Sequence, residues 1–282
     1  MSSILEFIGE TLEHSSAELV KRFGETKSIQ TKKDLSLVTD ADLASEKIIL
    51  DRIAKYFPDD AIISEESGQI HVNRAPGQKV WIIDPLDGTT NFANSFPFFS
   101  VAIGYGEFLE EGRMRMLAGG ISDPIHKNRY LAQRGGGATC NGNPMNVVKD
   151  RPFSQCFLVT GFYYTVGKDL EREIERYGRV AQQCQSIRRD GSAALDLAMV
   201  AAGVYDGFWE RGLALWDVAA GSLLVKEARG LVTNYPTLES KAEVASLGTT
   251  LAGLSYNLEG EGIIAGTPTV VAQISNLLSG AR

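Results

Sequence analysis

The sequence predicts a layered α/β fold in which helices and sheets are interleaved along the chain. Apolar residues recur at helical spacing near the N-terminus and again in the second half. Short runs that read as strands, divided by Gly, Asn and Asp, fill the middle. Because each layer buries an apolar face against the next, we expect two intimately packed halves, roughly 1–145 and 146–282, within a single domain spanning 1–282.

The first half combines two helices with a strand-rich middle. Residues 3–23 carry apolar residues at helical spacing, and Thr39 or Asp40 is suited to cap a second helix that ends near Phe57, before Pro58. The polar segment 67–79 is predicted to be a loop. Strands are predicted at 61–64, 80–84, 98–106, 115–122, 128–133 and 136–142.

The second half alternates between strands and helices. Residues 236–260 show no clear period and are predicted to form a surface loop. Strands are predicted at 157–161, 205–210, 231–235 and 262–266, and helices at 169–184, 192–203, 217–228 and 268–279.

Composition and charge narrow the classes of function. The chain has 282 residues, of which 44% are hydrophobic and 22% charged, as in ordinary globular proteins. Its net charge is −7 and it has no basic run, which argues against nucleic acid or an anionic membrane as a partner. The charge of an anionic substrate would therefore have to be met locally, by metal ions or helix N-termini.

Cysteine and histidine offer no recognisable disulfide or zinc pattern. The three cysteines are too widely spaced for a CxxC pair, and the three histidines form neither HxH nor HExxH. The N-terminus lacks a basic region typical of a signal peptide, and no apolar run approaches the length of a membrane span. We therefore expect a cytoplasmic protein.

The stretch WIIDPLDGTTNF places two carboxylates at the end of an apolar strand. Pro85 is expected to end the strand at Asp84, and a turn would bring Asp87 back beside it. Two desolvated carboxylates repel unless a proton or cation intervenes, and oxygen ligands without His or Cys favour Mg²⁺. Gly88 and Thr89 offer backbone N–H groups suited to phosphate. The local chemistry indicates a metal–phosphate site, with a structural turn as the alternative.

Three further acidic segments have simple structural alternatives. Asp40 or Asp42 in VTDAD suits the first turn of a helix, where the helix dipole favours acids. Glu65 in SEES could belong to a solvated loop, and Asp217 in LWDVAAG could be a helix N-cap. None of these segments alone indicates a metal site.

Taken together, DPLDGTTNF, the upstream SEES and the downstream WDVAAG resemble the inositol monophosphatase family of lithium-sensitive, Mg²⁺-dependent phosphomonoesterases. The resemblance begins near residue 32 and continues through RRDGSAALDLAMVAAGVYDGFWERGLALWDVAAG at 188–221. It implies an αβαβα sandwich of the inositol monophosphatase and fructose-1,6-bisphosphatase type, and a homodimer. We would look for the dimer interface in the strand-rich segment 98–140.

The resemblance also implies roles for individual residues. Two or three Mg²⁺ ions would be held by Glu65, Asp84, Asp87, Asp217 and the backbone carbonyl of Leu86. The catalytic residues would be Glu65 and Thr89, which orient the attacking water, and Asp42, which supports Thr89. The substrate-binding residues would be Asp87, Gly88, Thr89, Gly191, Ser192, Ala193, Glu210 and Asp217. Water would attack the phosphorus directly and in line, without a phosphoenzyme.

The substrate is less constrained than the reaction. GSAALDLAMVAAG resembles the inositol monophosphatase branch and lacks the lysine typical of the nucleotide phosphatases. We therefore predict hydrolysis of inositol monophosphate, and Glu210 suits the hydroxyls of a polyol. Histidinol phosphate is the runner-up, because a glutamate can equally hold an ammonium group. Fructose 1,6-bisphosphate remains open because Arg188, Arg189 or Arg211 could meet its second phosphate. A non-catalytic interaction protein with the same fold is an alternative of a different class.

Overall fold

A computed structural model describes residues 3–25, 29–31, 37–162, 168–235 and 256–280. The helices of these segments are α1 (Ile4–Arg22), α2 (Asp40–Tyr56), α3 (Thr89–Ala93), α4 (Lys168–Ala181), α5 (Ala193–Ala201), α6 (Leu215–Glu227) and α7 (Pro268–Ser279).

The strands fall in two groups along the chain. The first ten are β1 (Ile29–Thr31), β2 (Leu37–Thr39), β3 (Ala61–Ser64), β4 (Gly68–Ile70), β5 (Lys79–Asp87), β6 (Ser100–Phe108), β7 (Met114–Asp123), β8 (Asn128–Gln133), β9 (Gly137–Cys140) and β10 (Asn143–Pro144). The remaining five are β11 (Phe157–Thr160), β12 (Ser186–Arg188), β13 (Gly207–Arg211), β14 (Leu231–Asn234) and β15 (Gly262–Gly266).

Two large sheets organise these strands. The order in the first is β10-β9-β8-β7-β6-β5-β3-β4, which is antiparallel except where β3 runs parallel to β5. The order in the second is β12-β11-β13-β15-β14, in which β11 runs parallel to both of its neighbours. The short strands β1 and β2 pair separately as an antiparallel hairpin.

The helices lie in three layers around the two large sheets. Helices α1 and α2 pack on one face of the eight-stranded sheet, and α5 and α6 contact its other face and the five-stranded sheet. Helices α4 and α7 contact each other, and α7 packs on the five-stranded sheet. The resulting order of layers is αβαβα, which confirms the predicted fold class.

Strand β5 is buried on both faces, as its continuous apolar run predicts. Trp81 and Ile83 pack toward α1 and α2, whereas Val80 and Ile82 belong to the core around α5 and α6. This alternation follows from the two-residue period of a strand. The C-terminal end of β5, which carries Asp84 and Asp87, is consequently fixed between two packed layers.

The prediction that β5 ends at Asp84 is wrong. Asp84 pairs with Ala102 and Asp87 with Ser100, so β5 contains one extra residue between these pairs. Such a bulge removes a residue from the regular ladder, which lets the strand pass Pro85 despite its missing N–H. The carbonyl of Pro85 instead accepts a 2.6 Å hydrogen bond from Ser45 of α2.

Other differences involve short elements. Strand β4 lies within the predicted loop 67–79, and β12 was absent from the predicted strands. Each has three residues, too few for a clear sequence period. Most of the predicted loop 236–260 lies outside the described residues. Within the described segments, no helix combines the length and apolarity needed to cross a membrane.

Candidate active site

Three carboxylates from distant parts of the chain converge where the C-terminal end of β5 meets the first turn of α6. Asp84, Asp87 and Asp217 each offer an oxygen atom, and these three atoms lie within 4.8 Å of one another. Asp84 and Asp87 flank the bulge of β5, and Asp217 belongs to the first turn of α6. The structure thus brings together three of the four predicted metal-binding carboxylates, and the fourth, Glu65, forms a side-chain hydrogen bond with Asp84.

The bulge and the start of α5 hold the first two carboxylates. The Leu86 N–H donates to Oδ1 of Asp84 over 3.1 Å. Oδ2 of Asp87 accepts from the Ser192 hydroxyl at 2.5 Å and from the Ala194 N–H at 2.8 Å. Asp87 therefore links the end of β5 to the beginning of α5.

Asp217 differs from its predicted place in the helix. It lies at the third position of α6, and its carboxylate accepts a 2.7 Å hydrogen bond from the Ala214 N–H. Ala214 occupies the N-cap position, so the interpretation of Asp217 as an N-cap is wrong. A carboxylate at the third position can still satisfy a free N–H at the helix start.

Glu65 lies in the turn after β3, and its N–H donates to the Ile83 carbonyl of β5 at 3.2 Å. It lines the same cleft as the three aspartates, and its charge contributes to raising the pKa of Asp84. The turn is held by Glu46 of α2, which accepts hydrogen bonds from the Ser64 hydroxyl and from both the N–H and hydroxyl of Ser67. A buried glutamate thereby orders the segment that carries Glu65.

A second group of polar residues surrounds the threonine that follows the bulge. The Thr89 hydroxyl lies 3.0 Å from two acceptors, Oδ1 of Asp42 and the Leu86 carbonyl. The other oxygen of Asp42 accepts from the Thr39 N–H at 2.8 Å and hydroxyl at 2.6 Å. The contact between Asp42 and Thr89 is the one that the family resemblance implies.

Gly88 lets the backbone turn from β5 into α3. Its φ of 92° is in the left-handed region, where a side chain is strained. A Cβ at this position would also lie 3.1 Å from the Gly191 carbonyl and 3.2 Å from the Phe98 carbonyl. Glycine therefore satisfies both the turn and the close approach of two other backbone segments.

The carboxylates open onto a cleft of about 330 Å³. Every predicted substrate-binding residue lines it, and Arg189 is the one cationic side chain among its described lining residues. The lining set includes Glu65, Asp84, Leu86, Asp87, Gly88, Thr89, Gly191, Ser192, Ala193, Glu210 and Asp217. The cleft thus joins the acidic group to the residues predicted to contact the substrate.

Burial and mutual repulsion dominate the electrostatics. Burial, then the neighbouring charges of Glu65, Asp87 and Asp217, raises the pKa of Asp84 well above its usual range. Burial also raises the pKa of Asp87 to about 6 and that of Glu210 to about 8. Grouped oxygen donors that resist ionisation together suit a hard divalent cation, so the residues present fit Mg²⁺.

Three contributors to the cleft were missed from the sequence. Glu46 orders the Glu65 turn, and Ser100 donates to Asp87 over 3.3 Å beside the stronger Ser192 bond. Asp196 of α5 is 1% exposed and also lines the cleft. Only Asp196 left a clear sequence signal, because it is an acid within the apolar run AALDLAMVA.

Comparison with known proteins identifies the class of this layered fold and acidic cleft. The inositol monophosphatase family model matches residues 1–264, so the chain belongs to the inositol monophosphatase family, which is a phosphatase family. The resemblance predicted from the sequence motifs is therefore confirmed.

Individual relatives cover most of the chain. An inositol-1-monophosphatase from Synechocystis is 39% identical over 232 residues, covering 82% of this chain and 78% of the relative. Nus factor SuhB from Escherichia coli is 39% identical over 241 residues, covering 85% and 82%. The crystal structure of the extragenic suppressor protein suhB from Bartonella henselae matches with a TM-score of 0.85 and 32% identity, over 100% of both chains.

Proposed function

We propose that this protein is a Mg²⁺-dependent phosphoric monoester hydrolase that converts inositol monophosphate to inositol and phosphate. One observation carries the proposal: carboxylate oxygens of Asp84, Asp87 and Asp217 lie within 4.8 Å of one another. Asp87 directly precedes Gly88, where the chain turns into α3. Carboxylate oxygens suit a hard cation, and a cation in turn attracts a phosphate dianion into an otherwise acidic cleft.

The metal-binding residues we propose are Glu65, Asp84, Asp87, Asp217 and the Leu86 carbonyl. When bound, Mg²⁺ would lower the pKa of water, polarise the phosphate and stabilise the leaving oxygen. Asp87 is already fixed through one oxygen by Ser192 and Ala194. A ligand held in this way loses little conformational freedom on binding the ion.

Thr89, Asp42 and Glu65 are the proposed catalytic residues. The Thr89 hydroxyl can donate its hydrogen bond to ionised Asp42, which leaves an oxygen lone pair of Thr89 free to accept a hydrogen bond from water. Glu65 lines the same cleft and is proposed to accept the proton of the attacking water. Gly88 and Thr89 would donate their backbone N–H groups to the phosphate.

The alcohol end of the substrate is assigned to Gly191, Ser192, Ala193 and Glu210. All four line the cleft beside the carboxylate group. The relative from Synechocystis is named inositol-1-monophosphatase, which supports a polyol ester as substrate. Histidinol phosphate is the second candidate, because the acidic Glu210 would attract its ammonium group. Fructose 1,6-bisphosphate is a weaker candidate, since Arg189 alone among the described lining residues could meet a second phosphate.

The experiment is a phosphate-release assay on these three esters, with Mg²⁺ and with EDTA. We expect Mg²⁺-dependent hydrolysis, fastest with inositol monophosphate, and loss of activity in Asp84→Asn. Asp51→Asn is the matched control, because Asp51 lies on the exposed surface of α2 and pairs only with Lys47 among the described contacts. Full activity in Asp84→Asn would refute the metal assignment. No phosphate release from any of the three esters would favour the alternative of a non-catalytic interaction protein.

Four further properties belong to the same proposal: inhibition by lithium, a cytoplasmic location, a homodimeric state and a single domain. Lithium should inhibit by occupying a metal position, and insensitivity at high millimolar concentrations would contradict this. The protein is proposed to be a cytoplasmic homodimer, which sedimentation and cell fractionation would test. The chain is also proposed to fold as one domain, which would give a single unfolding transition in calorimetry.

A further inference from the structure

Asp196 is a buried acid that the proposed mechanism does not use. It lies in α5, four residues after Ser192 and three after Ala193, so it shares their face of the helix. The residue is 1% exposed, yet it is one of the residues that line the cleft. It therefore neighbours Ser192 and Ala193, which we assign to the alcohol portion of the substrate.

One oxygen of Asp196 lacks a hydrogen-bond partner. Oδ1 is buried and accepts no hydrogen bond in the part of the chain that the structure describes. A buried carboxyl oxygen without a donor is costly, and folded proteins rarely leave such an atom unsatisfied unless it serves a function. Burial, followed by the charges of Asp190 and Glu210, raises the pKa of Asp196 well above its usual range.

Asp206 shows what a structural acid looks like in the same half of the chain. It is likewise 1% exposed, but Arg151 binds both of its oxygens at 2.6 Å, and the Phe157 N–H donates to it at 2.7 Å. Asp206 is thus fully satisfied by the protein itself. The contrast indicates that the missing donor for Asp196 comes from outside the chain.

We infer that Asp196 is a specificity-determining residue whose free Oδ1 accepts a hydrogen bond from a hydroxyl or ammonium group on the alcohol portion of the substrate. Together with Glu210, it would give this end of the cleft two acids that face hydrogen-bond donors. This inference rests on the proposed phosphatase activity. It favours phosphate esters of polyols and amino alcohols over esters whose alcohol portion has no donor.

The test compares kcat/KM for inositol monophosphate, histidinol phosphate and para-nitrophenyl phosphate, whose alcohol portion has no donor. In Asp196→Leu, the ratio of kcat/KM for inositol monophosphate to that for para-nitrophenyl phosphate should fall about tenfold or more, the loss expected when a substrate donor is left without its buried acceptor. An unchanged ratio would overturn the inference.

Asp196→Asn separates the two kinds of donor and remains informative if the leucine variant does not fold. The asparagine carbonyl can still accept from a hydroxyl but carries no charge. Relative to para-nitrophenyl phosphate, activity on inositol monophosphate should then be largely retained, whereas activity on histidinol phosphate should fall if its ammonium is the donor. Equal ratios for all three esters in both variants would count against any contact with the substrate.

Thermal stability supplies a readout that is independent of turnover. Replacing an unpartnered buried carboxyl with an apolar group of similar size should raise the Tm of Asp196→Leu by about 2–4 °C. Asp206→Asn is the matched control and should lower the Tm without changing the ratio of kcat/KM values. A lower Tm in Asp196→Leu would mean that the chain itself satisfies Asp196, which would contradict the inference.

A failed proposed function can be recognised separately. If the wild-type protein hydrolyses none of the three esters, calorimetric titration with inositol monophosphate and Mg²⁺ replaces the rate assay. Weaker binding to Asp196→Leu than to wild type would then support the contact even without catalysis. Equal affinity, or no binding to either protein, would overturn it.

Discussion

The carboxylate of Glu210 lies directly against the Cα of Gly161, so closely that any Cβ at residue 161 would overlap it. Gly161 follows β11, and Glu210 belongs to the neighbouring parallel strand β13. Both residues line the cleft. The absence of a side chain at residue 161 thus determines where the Glu210 carboxylate lies.

Gly161→Ala should therefore impair recognition of the alcohol portion of the substrate. Because the new methyl group must displace Glu210, we expect KM for inositol monophosphate to rise about tenfold, corresponding to one lost hydrogen bond. Steady-state kinetics with para-nitrophenyl phosphate, which cannot use Glu210 in this way, provides the comparison. Gly178→Ala is the control, since a Cβ at Gly178 meets nothing within 4 Å. Equal KM values in Gly161→Ala and wild type would contradict the assignment.

Asp42→Asn should slow catalysis while sparing metal binding. The change replaces the carboxylate oxygen that accepts from Thr89, 3.0 Å away, with an uncharged group. We expect kcat to fall about 10²-fold, the lower range for loss of general acid–base assistance. Initial rates and the Mg²⁺-induced rise in Tm should be measured on the same sample. A wild-type kcat would remove Asp42 from the catalytic group, and a lost Mg²⁺ response would point to misfolding.

The same residue predicts how activity depends on pH. Burial raises the pKa of Asp42 to about 6, although hydrogen bonds from Thr39 and Thr89 oppose the rise. Below that pH, Asp42 loses its charge and becomes a weaker acceptor for the Thr89 hydroxyl, so the rate should fall as the pH drops through about 6. The rate of the wild-type protein should fall below about pH 6, and the rate of Asp42→Asn should fall less steeply over the same range. The same fall in both proteins would mean that a group other than Asp42 causes it.

The free energy of unfolding should fall as the pH rises, whereas the rate of hydrolysis should increase. A carboxyl whose pKa is raised in the folded state makes that state bind more protons than the unfolded chain, so stability falls as pH rises toward the folded value. The shifts of Asp42, Asp84 and Asp87 all have this sign. In EDTA, the Tm should therefore be higher near pH 5 than near pH 7, and an equal or lower Tm near pH 5 would contradict the raised pKa values.

Mg²⁺ should restore the thermal stability that the metal-free protein loses near pH 7. An ion that binds only the folded protein stabilises it by about 2.7 kcal/mol at a hundredfold excess over Kd, which corresponds to roughly 5–10 °C in Tm for a chain of this size. Asp84→Asn should abolish most of the rise, whereas Asp51→Asn should keep it. A Mg²⁺ response that survives in Asp84→Asn would locate the stabilising ion elsewhere.

Glu46→Gln tests the turn that carries Glu65. The glutamine can accept at one oxygen only, whereas Glu46 accepts from Ser64 and twice from Ser67 through both oxygens. We expect a loss of about 1–3 kcal/mol in the free energy of unfolding, because buried donors lose an acceptor. The concentration of Mg²⁺ needed for half-maximal activity should also rise. An unchanged Mg²⁺ requirement would separate the Glu65 turn from the metal site.

Local patterns predicted the elements that carry the acidic group. The apolar run VWII predicted a strand buried on both faces. The sequence also predicted that Asp84 and Asp87, which follow this run, lie close together, and the structure groups them with Asp217. Family motifs added Glu65 and Asp217, which sequence spacing alone could not bring together. The bulge at Pro85 was missed because it depends on pairing with β6, a contact between segments that local preference does not encode.

Residues that act through tertiary contacts were also hidden in the sequence. Glu46 reads as one more charged residue of an amphipathic helix until α2 is packed beside the turn after β3. The N-terminal end of α6 shows the same limit, because Ala214 rather than a polar residue occupies the N-cap position. Asp217, the third residue of the helix, accepts the hydrogen bond from the Ala214 N–H. Propensity rules describe frequencies, whereas packing decides each helix end.

The separation of Asp84 and Asp217 along the chain has a topological consequence. A single ion held by both carboxylates would close a loop of about 130 residues, which removes more freedom from an unfolded chain than a short loop does, although the gain grows only as the logarithm of its length. The cation would thus act as a removable crosslink between the interior strand β5 of one sheet and helix α6 packed against it. Withdrawing it should loosen α6 against β5 first, before the outer helices exchange their amide protons.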